Sequence, residues 1–290
     1  GTVVVGNSAE QGYNQTRIEN VPGDILGFDA ETGEFKWKFH VIPRPGEVGH
    51  ETWLNDAWKW TGDVSSWAPM SADYDRGIVY IPTNPPTIDY FGGFRPGNNL
   101  FGTTVIALDV ETGERVWHFQ TVHSDEWNYD LPNVPLVVDL EVDGEEIPAV
   151  IQTTKQGLMF TFNRETGEPV WPIEEVEVLQ TEVPGNWTAA TQPIPTWPEP
   201  FEPLGLPLED VIDFTPDLRE QALEIISDYR VGGPYLPRLH EGHNSSVVDN
   251  IRCYGGLNIT NPATLDPSTG ILYASHSRRC GGGTVVSGAD

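Results

Sequence analysis

The stretch Ala107-Leu108-Asp109-Val110-Glu111-Thr112-Gly113-Glu114-Arg115-Val116-Trp117 reads as a strand, a tight turn and a second strand. Asp109 suits a turn capped by its own side chain, and Gly113 supplies the positive φ that such a turn needs. Trp117 then offers a wide apolar face for packing between sheets. The same pattern occurs as Gly27-Phe28-Asp29-Ala30-Glu31-Thr32-Gly33-Glu34-Phe35-Lys36-Trp37 and as Thr161-Phe162-Asn163-Arg164-Glu165-Thr166-Gly167-Glu168-Pro169-Val170-Trp171.

A looser hairpin alternates with it, at Ala72-Asp73-Tyr74-Asp75-Arg76-Gly77-Ile78-Val79-Tyr80 and Leu265-Asp266-Pro267-Ser268-Thr269-Gly270-Ile271-Leu272-Tyr273. Short strands with frequent turns predict an all-β chain, and repeated strand–turn–Trp units predict β-propeller blades. The three Trp positions fall 80 and then 54 residues apart, so long insertions are expected. One runs from Arg44 to Trp67. Another, from Pro184 to Pro207, is crowded with proline and is expected to exclude regular strands. One surface helix is expected near residues 216–230. Thr215-Pro216 starts it, Leu218, Ala222, Ile225 and Ile226 share a face, and Gly232-Gly233 ends it.

The chain has 290 residues, with 16 basic side chains against 43 acidic ones, a net charge of −27. That balance argues against nucleic acid and anionic membrane surfaces as partners. It fits a well-solvated acidic surface or the steering of a cationic partner. The opening Thr2-Val3-Val4-Val5 is strand-like, which predicts an internal piece of a longer chain. Cys253 and Cys280 stand outside any metal-type spacing. They form either one disulfide, fitting an exported protein, or two free thiols. The histidines show no zinc spacing, and no Gly-rich phosphate loop supports a nicotinamide cofactor.

Several stretches carry a more specific signal. They are Pro45-Gly46-Glu47 with Glu51-Thr52-Trp53, Asp89-Tyr90-Phe91-Gly92-Gly93, Arg95-Pro96-Gly97-Asn98-Asn99-Leu100 and His118-Phe119-Gln120-Thr121-Val122-His123. With the Trp-bearing turns, they resemble the pyrroloquinoline quinone (PQQ)-dependent dehydrogenases. The resemblance implies an eight-bladed propeller with PQQ on its axis, of which residues 1–290 would be a single incomplete portion. Thr153-Thr154-Lys155-Gln156-Gly157 resembles the glucose, polyol and alcohol branch, because methanol-oxidising members carry Arg at the position of Lys155.

The resemblance implies oxidation of a sugar, polyol or alcohol in the periplasm or outside the cell. A cytochrome c or a membrane quinone would take the electrons, and Ca²⁺ or another divalent cation would assist. It places Trp67 beneath PQQ and Lys155 against the quinone oxygens, with Ser8 as a further cofactor contact. Glu10 falls where the family has an acidic metal ligand. Two departures accompany these matches. Thr83-Asn84-Pro85-Pro86 puts Pro85 at a ligand position, which Asn84 fills only if the loop shifts by one residue. His123-Ser124-Asp125-Glu126-Trp127-Asn128-Tyr129-Asp130 puts Asn128 where the family has its catalytic Asp, 27 residues before Lys155. An amide can ligate a metal but cannot take a proton near neutral pH. Asp130 or Asp125 is then the substitute base, or the metal alone acidifies the alcohol, or the propeller is catalytically inactive and acts as a binding or assembly module. A WD-type interaction propeller is disfavoured, because the Asp/Asn-x-x-Thr-Gly turns differ from its pattern.

Overall fold

The computed structural model describes residues 1–6, 18–243, 247, 249–254, 263–276 and 279–287, without the side chains of 252–254 and 279. Strands β1 (Thr2–Val5), β2 (Ile25–Asp29) and β3 (Phe35–Phe39) form one antiparallel sheet. Next comes a four-stranded sheet in chain order, β4 (Ser71–Asp73), β5 (Ile78–Pro82), β6 (Thr104–Asp109) and β7 (Arg115–Gln120). A third sheet holds β8 (Leu136–Val142), β9 (Glu145–Thr153) and β10 (Met159–Asn163). A hairpin of β11 (Ile173–Glu177) and β12 (Thr191–Pro195) leads to helix α1 (Pro216–Ser227). The remainder comprises β13 (Tyr229–Val231), β14 (Asp249–Tyr254), a hairpin of β15 (Ala263–Asp266) with β16 (Ile271–Ala274), and β17 (Arg279–Gly281).

The repeated turns form as their sequence demands. Asp109 Oδ1 accepts the amides of Glu111 and Thr112 at 2.9 and 2.8 Å. Asp29 does the same for Glu31 and Thr32, and Asn163 for Glu165 and Thr166. Each indole of the first two repeats then reaches into the next sheet. Trp37 Nε1 donates to Val110 O at 3.0 Å, and Trp117 Nε1 donates to Arg164 O at 3.0 Å. The acceptors lie in the turn of the following repeat. Gly113 and Gly167 lack a Cβ for a second reason besides their positive φ. A Cβ there would stand 2.5 Å from the Trp37 ring and 2.7 Å from that of Trp117.

The four-stranded sheet is consequently buried on both faces. Val79, Ile81, Ile106 and Leu108 pack with Ile25 and Trp37 of the first sheet and with Val41 just beyond it. The alternate residues Ile78, Tyr80, Val105 and Ala107 pack with Val150, Phe160 and Phe162 of the third. Period-2 alternation with apolar residues on both faces is what a blade between two neighbours requires. Strand register then separates two ends. The Asp/Asn-x-x-Thr-Gly turns occupy one. At the other, the Ser71–Tyr80, Pro82–Val105 and Thr104–Gln120 pairs bring together the loops entering and leaving the blade.

Three expectations are corrected. The helix stops at Ser227 and not at Gly232-Gly233, because Asp228 closes it and Tyr229–Val231 pairs in parallel with β14. It starts as expected, with Thr215 Oγ1 accepting the Leu218 amide at 3.2 Å. A regular strand, β12, forms inside the proline-rich Pro184–Pro207 segment. Its prolines fall on alternate residues, Pro193 and Pro195, opposite Glu175 and Ile173. The flanking bonds Val178 N to Ala190 O and Thr196 N to Pro172 O set the opposite parity for the ladder, so neither proline is asked to donate. Finally, Trp171 lies outside any strand, between the isolated Phe162–Pro169 bridge and β11. Cys280 is disulfide-bonded, and backbone pairing of β14 with β17 sets Cys253 opposite it.

Candidate functional site

Four loops meet at the end of the blade opposite the Thr-Gly turns. The first, before β4, carries Trp67. A second, after β5, carries Asn84. The third, after β7, runs from Thr121 through Asp130. The fourth is the Thr154–Leu158 connection of β9 to β10, closed by Gly157 N to Thr154 O, and it presents Lys155.

Lys155, Asn128, Asp130 and Trp67 are brought together. Lys155 Nζ lies 2.9 Å from Asp130 Oδ1, and donates to Asn128 Oδ1 at 2.8 Å and to Asn128 O at 3.0 Å. Asp130 Oδ2 accepts the Trp67 indole N–H at 3.0 Å. One carboxylate thus ties a cation to the edge of an indole. Asn128 adopts φ 63°, a left-handed conformation that Asn tolerates better than most residues. This turns its carbonyl and its carboxamide onto the same ammonium. Its Nδ2 donates to Asp89 Oδ2 at 2.8 Å.

The loop that presents Asn128 and Asp130 is held at almost every residue. Gln192 makes two bonds to the His123 backbone, each 2.8 Å. Asp125 Oδ1 accepts the Trp127 amide, and Oδ2 accepts the Tyr129 amide and Thr103 Oγ1. Glu126 accepts Thr188 Oγ1 and Asn186 Nδ2, both at 2.6 Å. Trp127 Nε1 and the Tyr129 hydroxyl donate to the carbonyls of Leu236 and Pro234. Beneath the loop, the fully buried Arg95 donates to the carbonyls of Asp125 and Ile88 and to Asn99 Oδ1. Burial pushes the Asp125 and Glu126 carboxyls up and the Arg95 guanidinium down from their ordinary values.

Other expected residues fare differently. Asn84 stands apart from this cluster: its carboxamide oxygen accepts both the amide and, at 3.0 Å, the hydroxyl of Ser65. Asp125 is engaged by three donors and buried, so of the two suggested bases only Asp130 faces Lys155. Ser8 and Glu10 lie outside the described residues. Sequence reasoning assigned no role to Asp89 or Arg95, although both lie in stretches that carry the family resemblance. Their partners are 39 and 30 residues away in the chain, a distance no local pattern reveals.

The donor set fits a planar quinone. A partly buried indole is tied through the Asp130 carboxylate to an ammonium that also meets an amide oxygen. A divalent cation is another matter. No group of three or more His, Cys, Asp or Glu among the described residues is arranged to hold a metal ion. The amide oxygens of Asn84 and Asn128 are taken by Ser65 and Lys155, so the described residues do not fit one.

Comparison with known proteins identifies the family of the fold. Residues 1–288 match the family model for the glucose/ethanol/alcohol dehydrogenase β-propeller domain of the PQQ type. The chain is 37% identical over 223 residues to the glycerol dehydrogenase large subunit of Gluconobacter oxydans, covering 76% of this chain and 28% of that protein. It is 34% identical to the quinoprotein glucose dehydrogenase of Escherichia coli, covering 66% and 24% of the respective chains. Quinohemoprotein alcohol dehydrogenase of Comamonas testosteroni shares the fold, with a TM-score of 0.58 at 22% identity over 94% of this chain and 35% of that one. The chain spans about a quarter of the length of the curated relatives it matches. Over residues 1–288, this chain belongs to the PQQ-dependent glucose/ethanol/alcohol dehydrogenase β-propeller family.

Proposed function

We propose that this propeller portion serves PQQ-dependent oxidation of a hydroxyl in a sugar, polyol or alcohol. The observation that carries the reading is the meeting of Trp67, Asp130 and Lys155 in one hydrogen-bonded cluster. Bound PQQ supplies a quinone that accepts hydride from the alcohol carbon. Trp67 offers the flat surface for it, and Lys155 supplies positive charge where negative charge develops on the reduced ring. Asp130 takes the hydroxyl proton. Each of its oxygens retains a lone pair beyond those given to Trp67 and Lys155. Asn128 holds the ammonium in place and takes no proton.

Electrons leave to a cytochrome c or a membrane quinone in this reading, and the protein works in the periplasm or outside the cell. The disulfide at Cys280 supports an oxidising compartment. Calcium or another divalent cation would draw on ligands beyond the described residues, with Glu10 the candidate. A second reading, a binding or assembly propeller without catalysis, is favoured by the full engagement of the Asn128 side chain. Full-length parent protein reconstituted with PQQ and Ca²⁺ separates the two, using cofactor titration and dye reduction across sugars, polyols and alcohols. Turnover lost in Lys155→Ala is the expected result. Tight PQQ binding without turnover would move the protein to the second reading, and no PQQ binding would overturn the first.

A further inference from the structure

The Asn128–Tyr129 peptide unit is held at both ends by side chains of opposite charge. Its carbonyl accepts Lys155 Nζ at 3.0 Å, and its N–H donates to Asp125 Oδ2 at 2.8 Å. The peptide dipole therefore points its negative end at the ammonium and its positive end at the carboxylate. Such an arrangement stabilises both charges, and each bond polarises the other. A water-exposed relay of this kind would be weak. Here Asp125 is 1% exposed, and low dielectric raises what each bond contributes.

We propose that Asp125 is a positioning residue that holds Lys155 through the Asn128–Tyr129 peptide. The left-handed backbone at Asn128 is what lets one peptide face both groups. Thr103 Oγ1, at 2.8 Å, and the Arg95 guanidinium beneath the Asp125 carbonyl fix the far end of the relay. Trp127 supplies a built-in control. Its amide donates to the other oxygen of the same carboxylate at 2.9 Å, but the carbonyl of that peptide belongs to Glu126 and does not meet Lys155. The structural relay stands on these contacts alone. Its importance for the cofactor rests on the reading of Lys155 given above.

The test needs no cofactor. Hydrogen exchange in the full-length protein, read residue by residue by electron-transfer mass spectrometry, compares wild type with Lys155→Met and Lys155→Arg. Removing the cation is expected to speed exchange at the Tyr129 amide about tenfold while the Trp127 amide changes little, since only one of the two peptides loses its partner. Lys155→Arg keeps the cation and is expected to restore slow exchange. In Asp125→Asn, Lys155→Met is expected to add nothing further at Tyr129. Equal acceleration at both amides, or none at either, would overturn the relay. Should Asp125→Asn fail to fold, the Lys155 series still decides it. PQQ titration of the same variants then reports separately on the cofactor reading: a wild-type protein that binds no PQQ sinks that reading and leaves the exchange result standing.

Discussion

The second and third Trp repeats share the same turn motif and have different fates. Both form the same side-chain-capped turn, at Asp109 and at Asn163. Only the second continues into a strand whose Trp docks on the turn of the next repeat. Trp117 is 5% exposed against Phe162 and Gly167, whereas Trp171, between Pro169 and Pro172, lies outside the sheets and is partly buried. The turn is a local property, set by four or five residues. The docking is a tertiary property that needs a following turn with a glycine in the right place.

This contrast can be broken most forcefully at the indoles. Trp117→Ala removes a buried ring and its bond to Arg164 O, and is expected to destabilise the full-length protein by about 3–5 kcal/mol. Trp171→Ala is expected to cost well under half of that, about 1 kcal/mol. Urea unfolding of the two variants measures the difference. Equal losses would mean that Trp171 docks as Trp117 does.

The glycines sharpen the point. Gly167→Ala meets both a positive φ of 76° and the Trp117 ring, whereas Gly33→Ala meets a φ of 73° and nothing within 4 Å. The first is expected to cost about 2–3 kcal/mol and the second about 1 kcal/mol, so the same urea unfolding separates backbone strain from docking.

Acid gives the smallest effect. Backbone amides, that of Thr32 on Asp29 and of Thr112 on Asp109 first among them, hold both carboxyls below their ordinary value of 3.8. A folded-state value below the unfolded one contributes stability that is present above about pH 4 and is lost as pH falls through the lower folded value. Asn163 cannot titrate. Amide exchange at Thr32 and Thr112 is therefore expected to quicken below about pH 4, relative to Thr166, which keeps its cap. A matching acid response at Thr166 would break the comparison.

The same division between local and tertiary explains what could be read from the sequence. The capped turns, the β15–β16 hairpin and the Thr215 helix start were legible, because each rests on a short pattern. The end of α1 was not. Gly232-Gly233 is a strong stop signal, but pairing of Tyr229–Val231 with β14 ended the helix earlier. Proline density hid β12, since what matters is the parity of Pro193 and Pro195 and not their number. At the site, residue types alone offered both Asp130 and Asp125 as candidate bases, with Asp130 the one preferred. Only the fold shows that Asp125 is filled by the amides of Trp127 and Tyr129 and the Thr103 hydroxyl, and that Ser65 takes the oxygen of Asn84.

Asp130 is the residue on which the proposed chemistry turns, because it joins Lys155 to Trp67. The direct measurement is steady-state dye reduction by full-length Asp130→Asn, loaded with PQQ and compared with wild type. General-base removal is expected to lower kcat by about 10²–10⁴-fold while PQQ still binds. Turnover within a few-fold of wild type would show that Asp130 takes no proton, and would contradict the account.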